Sequence, residues 1–134
     1  GLKPPHVPSE ATHVYYVYGI TLDNDRLPKD RNWIVEALKS EGVTGLMAGY
    51  QNIHLNPLFR KRIAYGTSGF PWFGLSSGDS SVHYGPGLCP VAENLHQNTF
   101  VGLNLCAHEF TDEQVDHVIA AFSKVWSSMG MSAL

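Results

Sequence analysis

The chain has 134 residues, 43% of them apolar and 16% charged, which is enough apolar content for one packed domain and fewer charges than the roughly 25% of an average soluble domain. Nine basic against twelve acidic residues leave a formal charge of −3. That excludes the basic excess of a general nucleic-acid surface or a polybasic membrane patch.

Residues 1–12 carry Pro4, Pro5 and Pro8 and read as an extended lead-in or linker. The chain begins Gly1-Leu2-Lys3 without an initiator Met and shows no signal peptide, as expected of a piece of something longer. From His13 to Leu22 the sequence is dense in β-branched and aromatic residues, and Val14, Tyr16, Tyr18, Ile20 and Leu22 alternate onto one face, which predicts a strand. Pro28 to Ser40 reads as a helix, with Gly42 placed to end it in a left-handed conformation. Val43 to Tyr50 predicts a second strand. Asn56-Pro57 then looks like a cap followed by Pro at the first position of a short helix reaching about Ile63.

Residues 64–88 hold six glycines, five aromatics and one formal charge, Asp79. The aromatics need cover, so the stretch is expected to be an ordered excursion packed on a neighbouring domain or subunit. Pro90 opens a short helix to about His96, and Phe100 to Cys106 alternate as a third strand. The last helix is the best specified. Thr111 caps it and Gln114 completes a capping box, with Phe110 and Val115 as a hydrophobic staple. Val115, Val118, Ile119, Phe122, Val125, Trp126 and Met129 form one apolar stripe, which Gly130 ends. This order predicts an α+β fold, a small antiparallel or mixed sheet with helices on one face, as a single domain over residues 13–134.

No apolar run approaches the roughly 20 residues of a bilayer span. Cys89 and Cys106 share no CxxC spacing and read as reduced, small apolar groups, which fits a cytoplasmic setting. Seven histidines are scattered, with no pair at i, i+4 and no HExxH, so no metal site is expected. GxSxG and both phosphate-binding glycine motifs are absent. Cys89 precedes Pro90 at a predicted helix start, where a thiolate is favoured, although a capping or core cysteine is commoner. The five lysines read as solvated charges. The most suggestive segment is Met47 to Phe59, where a strand end delivers Tyr50, Gln51, Asn52 and His54 in quick succession, well placed to line a ligand site.

Gly49-Tyr50-Gln51-Asn52-Ile53-His54-Leu55-Asn56-Pro57-Leu58-Phe59 resembles the HYxPxHxQPxY region of the DegT/DnrJ/EryC1/StrS sugar aminotransferases. Leu88-Cys89-Pro90-Val91-Ala92-Glu93 with Phe110-Thr111-Asp112-Glu113-Gln114-Val115-Asp116 resembles the same family's C-terminal signature, and His13 to Tyr18 looks like the strand that enters its small domain. Gly49 departs from the pattern where members often carry His. The resemblance implies the small C-terminal domain of a fold-type-I pyridoxal-phosphate enzyme. Its parent would move an amino group from an amino acid to a keto-sugar or nucleotide keto-sugar, as a homodimer. Tyr50, Asn52 and His54 would shape the substrate side of the cleft. The Schiff-base lysine and the cofactor-binding groups would belong to an N-terminal large domain, so this chain would bind no cofactor and would be inactive alone. The alternative from the residues themselves is a free-standing, non-catalytic module that binds a small ligand or a protein.

Overall fold

The computed structural model describes residues 1–73, 82–106 and 109–132. Gly74, Gly78 and Asp79 of the glycine-rich stretch, and His108, lie outside these. The chain forms two compact units, one of Gly1–Tyr50 with Gln97–Leu134 and one of Gln51–His96.

The first unit is built on a four-stranded antiparallel sheet of β1 (Leu2–Lys3), β2 (Tyr18–Leu22), β3 (Leu46–Ala48) and β4 (Phe100–Leu103), in the order β1-β2-β4-β3. Helices α1 (Arg31–Ser40) and α4 (Asp112–Ser128) complete it. In the β2–β4 register Ile20 faces Val101 and Tyr18 faces Leu103. Strand periodicity therefore puts Ile20, Leu22, Val101 and Leu103 on one face. All four are buried in one core with Ile34, Val35 and Leu38 of α1 and Phe122, Val125 and Trp126 of α4. This is the α+β arrangement expected from the sequence, with both long helices packed against one sheet face.

Three strands are shorter than their sequence patterns suggest, and β4 ends at Leu103 and not at the expected Cys106. The alternation from Val14 does not continue as strand, because Tyr15 takes a positive φ of 47° and the partner β4 ends opposite Tyr18. The N–H of Tyr15 donates to His13 Nδ1 at 2.8 Å and the two rings stack, which holds the turn. Val14 and Tyr16 are then left 84% and 67% exposed. β3 is confined to three residues by Gly45 and Gly49, both at positive φ. At Gly45 a Cβ would also meet the carbonyl oxygen of Asn104 at 3.2 Å. Conversely, Leu2 and Lys3, expected in a structureless lead-in, pair with Leu22 and Thr21 as an edge strand.

The helix ends follow their capping chemistry. Asp30 accepts from the N–H of Trp33 at 2.8 Å and starts α1 three residues after the expected Pro28, because the orphan N–H groups of a first turn need an acceptor. Gly42 ends that helix at φ 90°. In α4 the Gln114 N–H donates to Thr111 Oγ1 at 3.3 Å, and the Thr111 N–H donates to Gln114 Oε1 at 3.0 Å, which completes the predicted capping box. We expect Thr111→Ala to destabilise this unit by about 1 kcal/mol, measured by urea unfolding, with Thr111→Ser close to the unmodified chain. A loss as large with Ser as with Ala would show that the hydroxyl is not the operative group.

The stripe on α4 is only partly covered. Phe122, Val125 and Trp126 are buried, whereas Val115 and Ile119 are 44% and 56% exposed. They border an apolar hollow of about 390 Å³ with Leu2, Tyr18, Leu105 and Phe110.

Candidate functional site

The second unit holds the chemistry. A 3₁₀ turn over Ile53–Leu55 leads into the short α2 (Pro57–Arg60). Pro57 occupies the first helical turn as expected, but Asn56 makes no side-chain cap bond. Its Oδ1 instead accepts from Gln51 Nε2 at 2.6 Å, so the amide that the sequence offers as a cap ties the loop to itself. Farther on, α3 (Pro90–Asn94) begins after Cys89 with Pro90 at its first position and continues into a π-helical turn, Leu95–Thr99.

Glu93 organises this unit. Its carboxylate accepts from the Gly87 N–H at 2.9 Å to each oxygen, and from the Cys89 N–H at 3.1 Å. It thus reaches back to the residue preceding α3, in the manner of a capping-box acid, and also fixes the turn before it. His54 Nε2 lies 2.9 Å from Glu93 Oε1, with the two side chains 11% and 12% exposed. The backbone bond from Gly87, then the bond from His54, then that from Cys89, hold the Glu93 carboxyl below its ordinary pKa against the opposing effect of desolvation. An ionised carboxylate can only accept, so Nε2 of His54 must carry a proton.

His54 borders an open concavity of about 430 Å³ with Asn52, Ile53, Phe59, Tyr84 and Cys89. Its walls are drawn from the glycine-rich stretch as well as from α2. Phe59 packs on Tyr84 and Trp72 with ring centroids 5.5 and 6.0 Å away, and the Trp72 indole N–H donates to the Tyr84 hydroxyl at 3.3 Å. The aromatics at 72 and 84 are therefore covered by each other and by Phe59, inside this unit. Asn52 is 8% exposed, and its amide nitrogen is buried with no hydrogen-bond partner.

Of the three residues singled out from sequence, Asn52 and His54 line this concavity. Tyr50 is the last residue of the sheet unit before the boundary, and is exposed. The pattern reading missed Glu93, Phe59 and Tyr84. For Glu93 a signal existed, since an acid four residues after Cys89-Pro90 can turn back to cap the helix start. Tyr84 had none, because only tertiary packing carries it to Phe59. Among the described residues no three His, Cys, Asp or Glu converge to hold a metal ion, and no helix is long and apolar enough to cross a membrane.

No family model matches the chain, and no solved structure matches it. An uncharacterized protein of Methanocaldococcus jannaschii is 30% identical over 71 residues, a match spanning 53% of this chain and 18% of that relative. The matched region is thus a small part of a much longer protein.

Proposed function

We propose that the chain is the small C-terminal domain of a cytoplasmic pyridoxal-phosphate-dependent sugar aminotransferase of the DegT/DnrJ/EryC1/StrS type. One observation carries the reading. The two segments that resemble that family, one containing His54 and the other Glu93, lie 39 residues apart in sequence and meet through a 2.9 Å contact. Their pairing is what a single shared site predicts. The α+β fold supports the same reading, and the open apolar hollow beside α4 gives a covering segment of a larger protein somewhere to sit.

Pyridoxal phosphate does not fit the residues of this chain. A Schiff-base lysine is desolvated so that its amine is neutral and nucleophilic, and all five lysines here are exposed. Lys39 and Lys124 are moreover paired with Glu36 and Glu41, and Lys29 lies over the Trp33 ring. The covalent chemistry therefore belongs to the large domain of the parent, a homodimer acting on a keto-sugar. Asn52 and His54 contribute to the substrate wall, and the resemblance assigns Tyr50 to substrate contact as well.

On this reading the chain alone, mixed with one equivalent of pyridoxal phosphate, shows no saturable Schiff-base absorbance and no transaminase turnover. A stoichiometric band that survives as a single modified lysine after borohydride reduction would overturn it. Reading the gene upstream of Gly1 supplies the second test. An in-frame domain carrying a lysine in an apolar setting supports the assignment, and a start codon close to Gly1 defeats it in favour of a free-standing binding module.

A further inference from the structure

We infer that the exposed aromatic face of residues 58–73 seats in the α4 hollow of a second copy of this chain. Trp72 and Tyr84 of the glycine-rich stretch are covered by Phe59, but Tyr65, Phe70 and Phe73 are not. With Leu58 and Ile63 they are 42% to 69% exposed. Backbone and ring contacts tie these residues into one surface. The Ile63 N–H donates to the Leu58 carbonyl at 3.1 Å, and the Phe73 N–H to the Gly69 carbonyl at 3.1 Å. Tyr65 and Phe70 pair across a β-bridge with ring centroids 5.8 Å apart. The Arg62 guanidinium lies 5.1 Å from the centre of the Phe73 ring. A contiguous apolar surface of this kind marks a site of contact with a partner.

Charge points to the partner. Arg60, Lys61 and Arg62, the three basic residues of Gln51–His96, follow one another in this surface, against two acids, Asp79 and Glu93. The rest of the chain holds six basic and ten acidic residues, so its net charge is −4 against +1. The hollow beside α4 has the matching character. Its lining includes no charged residue. The exposed Asp112 and Asp116 stand three residues before Val115 and Ile119, on the same side of the helix. An apolar seat with acids at its rim complements aromatic side chains flanked by bases. The rings leave water at the centre while opposite charges meet at the edge. A second copy is the occupant that brings both surfaces with it. The contact is small, so dilute chains stay single and the copies meet only at high concentration. The inference needs neither the parent enzyme nor its cofactor. In a homodimeric parent, the segment covering the hollow would be the other subunit's aromatic face.

The test follows amide resonances of the ¹⁵N-labelled chain from about 10 µM to about 1 mM, the range in which a small interface assembles. Val115 and Ile119 should move together with Tyr65, Phe70 and Phe73 and give one dissociation constant, while translational diffusion slows. Two charge-reversed chains then identify the surfaces that meet. Asp112→Lys with Asp116→Lys makes both surfaces basic, and Arg60→Glu with Lys61→Glu turns the aromatic face acidic like the rim. Each alone should associate at least about tenfold more weakly than the unmodified chain, because like charges meet. Mixed, the two should regain the association, which a misfolded chain could not do. An unmodified chain without concentration dependence, shifts confined to one of the two surfaces, or undiminished association after reversal at Arg60 and Lys61 would each overturn the inference. Association by a chain whose gene starts near Gly1 would sustain it while defeating the aminotransferase reading.

Discussion

Leu38→Ala should destabilise the sheet unit by about 2–5 kcal/mol, whereas Ile119→Ala should cost no more than about 0.5 kcal/mol. Both residues are aliphatic, both sit on amphipathic helices, and both fall on the apolar face that periodicity assigns. Their surroundings separate them. Leu38 is 0% exposed and packs in the core with Ile34, Val43, Val101 and Trp126. Removing its isobutyl group leaves a void that these β-branched and aromatic neighbours cannot fill without leaving their rotamers, so transfer and cavity penalties add. Ile119 projects into the open hollow and already meets water. Since small domains hold only about 5–15 kcal/mol of net stability, the Leu38 variant loses a large share of it. Urea midpoints check this, with an unchanged dependence on urea confirming that stability and not compactness has moved. An Ile119→Ala loss approaching that of Leu38→Ala would mean that the hollow is covered in solution, by a second copy or by another segment.

That contrast also marks where the sequence could be read and where it could not. The capping box of Thr111 and Gln114, the end of α1 at Gly42 and the Pro57 and Pro90 helix starts all depend on neighbours within four residues, and each appears where its local chemistry places it. The extent of β2 depends on something remote. Val14 and Tyr16 continue the alternation perfectly, but β4 offers no partner beyond Leu103, and the chain turns at Tyr15. Strand length is set by the shorter partner, and alternation in one strand carries no record of it. The same limit applies to the α4 stripe, since periodicity identifies an apolar face and says nothing of whether anything covers it.

The candidate site was legible to a similar depth. Asn52 and His54 stood out because several polar side chains in succession after a strand are unusual, and both border the concavity. Tyr50 belongs to the same run, yet the boundary between the two units falls directly after it. What organises the site, the contact between His54 and Glu93, bridges 39 positions. The acid is embedded in Cys89-Pro90-Val91-Ala92-Glu93, where an ordinary solvated helix carboxylate would look the same.

Glu93→Gln should loosen the second unit at neutral pH and remove part of its acid sensitivity. The carboxylate accepts from Gly87, Cys89 and His54 at once, and one face of a carboxamide carries hydrogens that cannot accept from any of them. All three donors meet Oε1, so a carboxamide oxygen there keeps them but without the negative charge that strengthens each bond, and the Gly87 N–H, 2.9 Å from both oxygens, then also faces the amide NH₂. Amide hydrogen exchange reads this directly, with protection at Gly87 and Cys89 falling in the variant while the β2–β4 ladder of the other unit is unchanged. The pH dependence follows from the lowered carboxyl pKa. In the unfolded chain this group titrates near the ordinary glutamate value of about 4.3; in the folded chain it titrates below that. The folded state therefore binds fewer protons in the interval between the two values. The stabilisation is complete above the ordinary value and declines as the pH falls through the interval to the folded value. The unmodified chain should lose protection at Gly87 and Cys89 on acidification below about pH 4.3, and Glu93→Gln, which has no proton to take up, should lack that step. Equal acid profiles in the two chains would show that the carboxylate does not hold the turn, and with it the orientation of His54.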